Sequence, residues 1–141
     1  MLFIFEGCDG TGKTTLAKKL APILDADIIH CTTETPNDYP FFSEIVSASI
    51  SRNIIADRFC YGQFVYQTEK ERKLSPTQLF QLEAEMLNAG VKLVYVTADT
   101  KDIMDRLIFR GETTAKPVDD IKAGFVSILK KSILQPIVWK T

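Results

Sequence analysis

The chain has 141 residues, 45% of them hydrophobic, which suits one compact domain with a proper core and excludes a disordered chain. A net charge of −1 and a pI near 5.8 remove the electrostatic footprint needed to wrap a nucleic acid, so none is expected as a partner. No stretch reaches the roughly 18–20 apolar residues of a membrane span, and the apolar N-terminus reads as a core strand rather than a signal, so the expected location is the cytoplasm.

Leu2–Glu6 is a short apolar run fit for a strand buried on both faces. It leads into Phe5-Glu6-Gly7-Cys8-Asp9-Gly10-Thr11-Gly12-Lys13-Thr14-Thr15, which fits G-x-x-x-x-G-K-S/T from Gly7 to Thr14, the phosphate-binding P-loop. Glycines at such positions let backbone N–H groups point at phosphate oxygens. Lys13 can reach the β- and γ-phosphates, and the Thr14 hydroxyl can ligate Mg²⁺. Leu16, Ala17, Leu20, Ile23 and Leu24 then recur at helical spacing, so strand, loop and helix follow in the order the motif requires.

Asp27–His30 reads as the second strand, followed by a loop with Pro36, Asn37, Asp38 and Pro40, and then by a helical pattern beginning at Phe41 and Phe42. Either phenylalanine can stack on a base, but packing in the core is the commoner role for such residues on an amphipathic helix. Asn53–Asp57, the third strand, ends in Asp57-Arg58. Beside a P-loop, Asp57 can hold the Mg²⁺ shell or take a proton from an attacking oxygen, and Arg58 offers a planar fork for phosphate oxygens. Gln63 and Tyr66 sit three apart on a helix opening after Phe59 and share a face.

Ser75 and Pro76 start a scaffold helix that ends at Asn88-Ala89-Gly90. The fourth strand, Lys92–Thr97, leads into a helix on which Arg106 and Arg110 are i,i+4 neighbours. The two arginines either close over transferring phosphate from a lid at about 106–118, or lie on a solvated helix face. Asp119–Leu134 is amphipathic, and Pro136–Lys140 is a last strand on the edge, left without a covering C-terminal helix and open to a second copy of the chain as a homodimer. Five strands alternating with helices predict an α/β fold with a parallel sheet covered on both faces, in one domain spanning residues 1–141. His30 reads as a packing residue. Cys8, Cys31 and Cys60, odd in number and without C-x-x-C spacing, read as reduced packing thiols rather than a zinc site or a disulfide.

Three stretches, in order, resemble thymidylate kinases: the P-loop with Asp9 inside it, Asp57-Arg58-Phe59 with its trailing Tyr66-Gln67, and Arg106-Leu107-Ile108-Phe109-Arg110-Gly111. The resemblance implies a P-loop NTPase three-layer sandwich with strand order 2-3-1-4-5. It also implies ATP- and Mg²⁺-dependent phosphorylation of a deoxynucleoside monophosphate, dTMP or a related pyrimidine, to the diphosphate. ATP would lie on Gly7, Asp9, Gly10, Thr11, Gly12, Lys13, Thr14 and Thr15, with the metal at Thr14 and Asp57. Asp9 would touch the acceptor's sugar or the metal, and Arg58 would grip the acceptor phosphate. Gln63 would read the pyrimidine edge, Tyr66 would lie beneath the sugar, and Arg106 and Arg110 would cover the donor. The 22 residues between His30 and Asn53 are fewer than the family has there, and Gly62 stands where a serine or threonine is common. A deoxynucleoside kinase, with Asp57 as general base, and a non-catalytic nucleotide-binding relative are the alternatives. A GTPase is not, because no N-K-x-D is present and no D-x-x-G follows the third strand.

Overall fold

Apolar runs and helical stretches alternate along the chain as the sequence patterning requires. The computed structural model describes residues 1–141. Strands β1 (Leu2–Glu6), β2 (Ala26–His30), β3 (Asn53–Asp57), β4 (Lys92–Thr97) and β5 (Ile137–Lys140) alternate with helices α1 (Lys13–Leu24), α2 (Tyr39–Ala48), α3 (Gln63–Tyr66), α4 (Pro76–Asn88), α5 (Thr100–Phe109) and α6 (Val118–Lys130). Every pairing is parallel, in the order β2-β3-β1-β4-β5, with Phe5 opposite Asp57 on one side and Val94 on the other. This is the expected P-loop NTPase fold. All five strands run the same way, so their carboxyl ends gather the loops that follow β1, β2, β3 and β4 at one edge.

Side chains alternate across the central strands. Leu2, Ile4, Ile54, Ala56, Leu93 and Tyr95 face a core of 26 buried residues shared with α2, α4, α5 and α6. Phe5, Ile55, Val94 and Val96 face the other way, onto Leu16 and Ala17 of α1, in a cluster of only six. Both faces are covered, but unequally: one layer is a group of helices and the other is α1. At the outer edge, all four residues of β5 are exposed, Trp139 by 48%. No helix is long and apolar enough to cross a membrane.

Local chemistry sets the element ends. Ser75 and Gln78 form a reciprocal capping box at the start of α4. β5 begins after Pro136, which has no N–H to give the ladder. The amphipathic stretch expected to reach Leu134 stops at Lys130 instead. Ser132, just beyond it, turns its hydroxyl onto the buried carboxylate of Glu83, where Tyr61 also donates. The stretch expected as a lid is helical in its first part: α5 runs to Phe109, so Arg106 sits within the helix and the irregular segment is 110–117.

Candidate active site

The P-loop turns sharply at the end of β1. Gly7 has φ of 148°, and a Cβ there would lie 2.1 Å from the carbonyl oxygen of Val96 in β4, so no side chain fits. Lys13 is 5% exposed and folds back over its own loop, donating to the carbonyls of Gly7 and Cys8 at 2.8 Å each. Burial lowers its pKa, an effect opposed by the Asp57 and Glu6 carboxylates. Thr11 closes the loop by donating to Cys8 O at 2.8 Å.

The end of β3 faces this loop. Thr14 donates to Asp57 Oδ2 at 2.5 Å, and His30 Nδ1, from the end of β2, lies 3.2 Å from the same oxygen. His30 is therefore a site residue rather than the packing residue its isolation had implied. A hydroxyl beside a carboxylate is a hard oxygen set that fits Mg²⁺, which takes few protein ligands and completes its shell with phosphate and water. No three His, Cys, Asp or Glu side chains converge to cage a metal by themselves. Arg58 pairs with Asp9 of the P-loop and holds a φ of 70°, a left-handed backbone uncommon for a non-glycine residue. Backbone strain of this kind concentrates at functional sites.

Two cavities meet at that ion pair. One, of about 340 Å³, is lined by Gly10, Gly12, Lys13, Thr14, Thr15 and Asp57 of the loop and β3, with Arg110 above. The other, of about 410 Å³, is lined by Glu6, Phe59, Gln63, Tyr66, Gln67 and Phe125. Asp9, Arg58, Cys31 and Thr32 line both. Tyr66 stands edge-on to Phe125, with ring centroids 5.9 Å apart.

Several expected roles are not met. Phe42 is completely buried, 4.7 Å from the ring of Phe59, so it packs the core and cannot stack on a base. Phe41 stacks on Phe42 and lines a separate groove beside β2, outside both cavities. Gln63 reaches the second cavity, but its Nε2 donates to Asn37 O at 2.7 Å and its Oε1 accepts from Lys73 N at 2.9 Å and Leu74 N at 3.2 Å. Its carbonyl is thus filled by two N–H groups of the loop before α4, and one amide N–H is taken by the loop before α2, which leaves at most one N–H for a base. Arg106 lines neither cavity; it donates to Gly10 O at 3.0 Å and Thr141 Oγ1 at 3.1 Å, bracing the P-loop from outside. Arg110 faces the first cavity, 3.3 Å from Glu112.

Sequence reasoning passed over Glu6. It is 1% exposed; Oε2 accepts from Tyr61 N at 2.9 Å, while Oε1 is buried without a partner. Burial pushes its pKa up to about 7 against the pull of Tyr61 N–H and Lys13. A carboxylate at a strand's carboxyl end, one residue before the P-loop, was the available signal. Lys116, in the polar stretch from Gly111 to Pro117 that reads as a flap, donates to Val65 O at 2.8 Å and ties the 110–117 segment down beside the second cavity. The three thiols are free and buried, and burial raises the pKa of each, Cys31 to about 12, so they are packing groups rather than nucleophiles.

No family model matches the chain. Among curated proteins, it is 24% identical to the probable thymidylate kinase of Methanococcus vannielii, across 82% of this chain and 70% of that protein. Among solved structures, the YorR protein of Bacillus subtilis, crystallised in complex with phosphorylated GDP, superimposes with a TM-score of 0.81 at 28% identity, over 99% of this chain and 85% of that one. Deoxyadenosine kinase from M. mycoides with bound dCTP has a TM-score of 0.59 at 16% identity, covering 100% and 89%. Thymidylate kinase from Candida albicans has 0.57 at 17%, covering 99% and 82%. These last two speak for the fold alone.

Proposed function

We propose that the chain is a P-loop nucleoside monophosphate kinase and that it transfers the γ-phosphoryl group of ATP to a deoxynucleoside monophosphate. The observation that carries this reading is the pair of adjoining cavities joined at Arg58: one on the P-loop for the donor, one beyond it for the acceptor. Two phosphorylated ligands laid end to end bring their reacting groups together beside that guanidinium.

Catalysis in this arrangement is positioning and charge stabilisation. Lys13 exchanges its two loop carbonyls for phosphate oxygens when a donor enters, which restores full partners to a buried ammonium. Thr14 and Asp57 are the residues that would hold Mg²⁺, which when bound neutralises charge on the β- and γ-phosphates. Arg58, held upright by Asp9, presents its fork between the two ligands, and Arg110 covers the donor side. The 110–117 segment, fastened by Lys116, excludes water from the acceptor side and limits hydrolysis of ATP. Support for a nucleotide ligand also comes from the YorR structure, which holds a phosphorylated guanine nucleotide.

A second reading, phosphorylation of a deoxynucleoside, is favoured by Glu6. Glu6 lines the acceptor cavity, one of its oxygens is buried without a partner, and its pKa near 7 suits a base that takes a proton from a 5′-hydroxyl. Arg52, the only arginine near the shortened crossover, pairs with Asp27 at 2.7 Å and does not line the acceptor cavity, so Arg58 is that cavity's one cation. ADP formation from ATP with each deoxynucleoside and each monophosphate decides between the two. Turnover of monophosphates supports the first reading, and turnover confined to nucleosides replaces it with the second. Nucleotide binding with no ADP formed from any acceptor leaves the chain a non-catalytic relative.

A further inference from the structure

The acceptor cavity is lined by more carboxylates than cations. Its charged residues are Glu6, Asp9 and Glu71 against Arg58 alone, and Arg58 is already held by Asp9. Glu6 Oε1 is buried without a partner at the end near the P-loop. Beyond Tyr66, Gln67 Oε1 is likewise buried and unpartnered. Glu71 is fixed by Thr68, whose N–H and hydroxyl both donate to Oε1, at 3.1 and 2.7 Å. These bonds hold its carboxyl below the usual range, so it remains ionised and accepts only. Gln63 has no carbonyl lone pair left over from its two loop bonds.

A site of this kind selects a base that donates. Thymine offers a single ring N–H; adenine and cytosine offer an amino group beside a bare ring nitrogen, which a carboxylate repels. Guanine offers N1–H and the 2-amino group side by side, next to a keto oxygen. An amide pairs with a keto oxygen and the adjacent N–H, and a neighbouring carboxylate takes the amino group. We propose that the acceptor base is guanine, read by the Gln67 amide with the Glu71 carboxylate on the 2-amino group. The proposal rests on the reading of this cavity as the acceptor site.

The test pairs turnover with binding. ADP formation and equilibrium affinity are measured with dGMP, dIMP, which lacks the 2-amino group, dTMP, dCMP and dAMP, and with the matching nucleosides. The guanine compound is expected to be best, and the hypoxanthine compound roughly tenfold worse in affinity, the scale of one hydrogen bond to a charged group. Glu71→Gln is expected to flatten the ratio of guanine to hypoxanthine, and Gln67→Ala to weaken both. Equal affinity for dGMP and dIMP in the parent chain, or preference for thymine, overturns the assignment. Tight, Glu71-dependent binding of guanine compounds without ADP formation keeps it while removing the kinase reading.

Discussion

Lys13 sits where a phosphate oxygen would have to come, with its ammonium satisfied by its own loop. Lys13→Ala is expected to lower kcat about 10²–10³-fold, the usual scale for one preorganised charge at a developing anion, while the circular dichroism spectrum stays that of the parent. Arg58→Ala removes the fork shared by both cavities, so kcat/KM for the acceptor should fall by at least tenfold; an unchanged value would take Arg58 out of the site. Glu6 makes a different prediction. With a folded pKa near 7 against an ordinary 4.5, the folded chain holds an extra proton between those values. Stability is therefore greatest at the acid side of this window and falls as pH rises through it, by up to about 3 kcal/mol. Thermal unfolding of Glu6→Gln is expected to lose that slope between pH 4.5 and 7 and to gain stability at pH 8. A parallel pair of curves would show that Glu6 is not the titrating group.

At the level of elements, α3 is a single turn of four residues, too short to persist by its own hydrogen bonds. Gln63 holds it by joining the loop before α2 and the loop before α4. Gln63→Ala leaves two buried or half-buried N–H groups and a carbonyl without partners, and should cost about 2–3 kcal/mol in denaturant unfolding. If Gln63 were chiefly a base reader, the variant would change acceptor preference with stability intact. The same elements show what could be read in advance. Leu2–Glu6, Asn53–Asp57 and Lys92–Thr97 match their strands because uninterrupted apolar runs between turn residues leave no other place for them. Thr14 beside Asp57 was legible because motif and strand end impose it. Partner choice was not legible. Whether Gln63 faces a ligand or two loop N–H groups, and whether Phe42 faces a base or Phe59, depends on contacts 10 to 26 residues away that no local pattern encodes. Glu6 escaped for the same reason: a carboxylate closing an apolar strand looks like a boundary until burial strands one of its oxygens.

For the whole molecule, the joined cavities predict that a compound linking adenosine to a deoxynucleoside through a polyphosphate chain binds more tightly than either half. Differential scanning fluorimetry should then show a larger rise in melting temperature with the linked compound than with ATP and acceptor added together at the same concentration. A rise no greater than that from ATP alone would mean that the two cavities do not hold ligands at once. One contact described above also bears on handling. Thr141 Oγ1 donates to Thr11 O at 2.9 Å, and Arg106 donates to the same hydroxyl, so whatever is fused after this residue emerges against the phosphate-binding turn. At the other end, the Met1 ammonium is bonded to Ser49 O and Arg52 O beside the opposite rim of the sheet. Bulk added at Met1 therefore lies away from that turn, whereas bulk added at Thr141 presses on it from outside the cavities and would lower turnover for a reason unrelated to the chemistry.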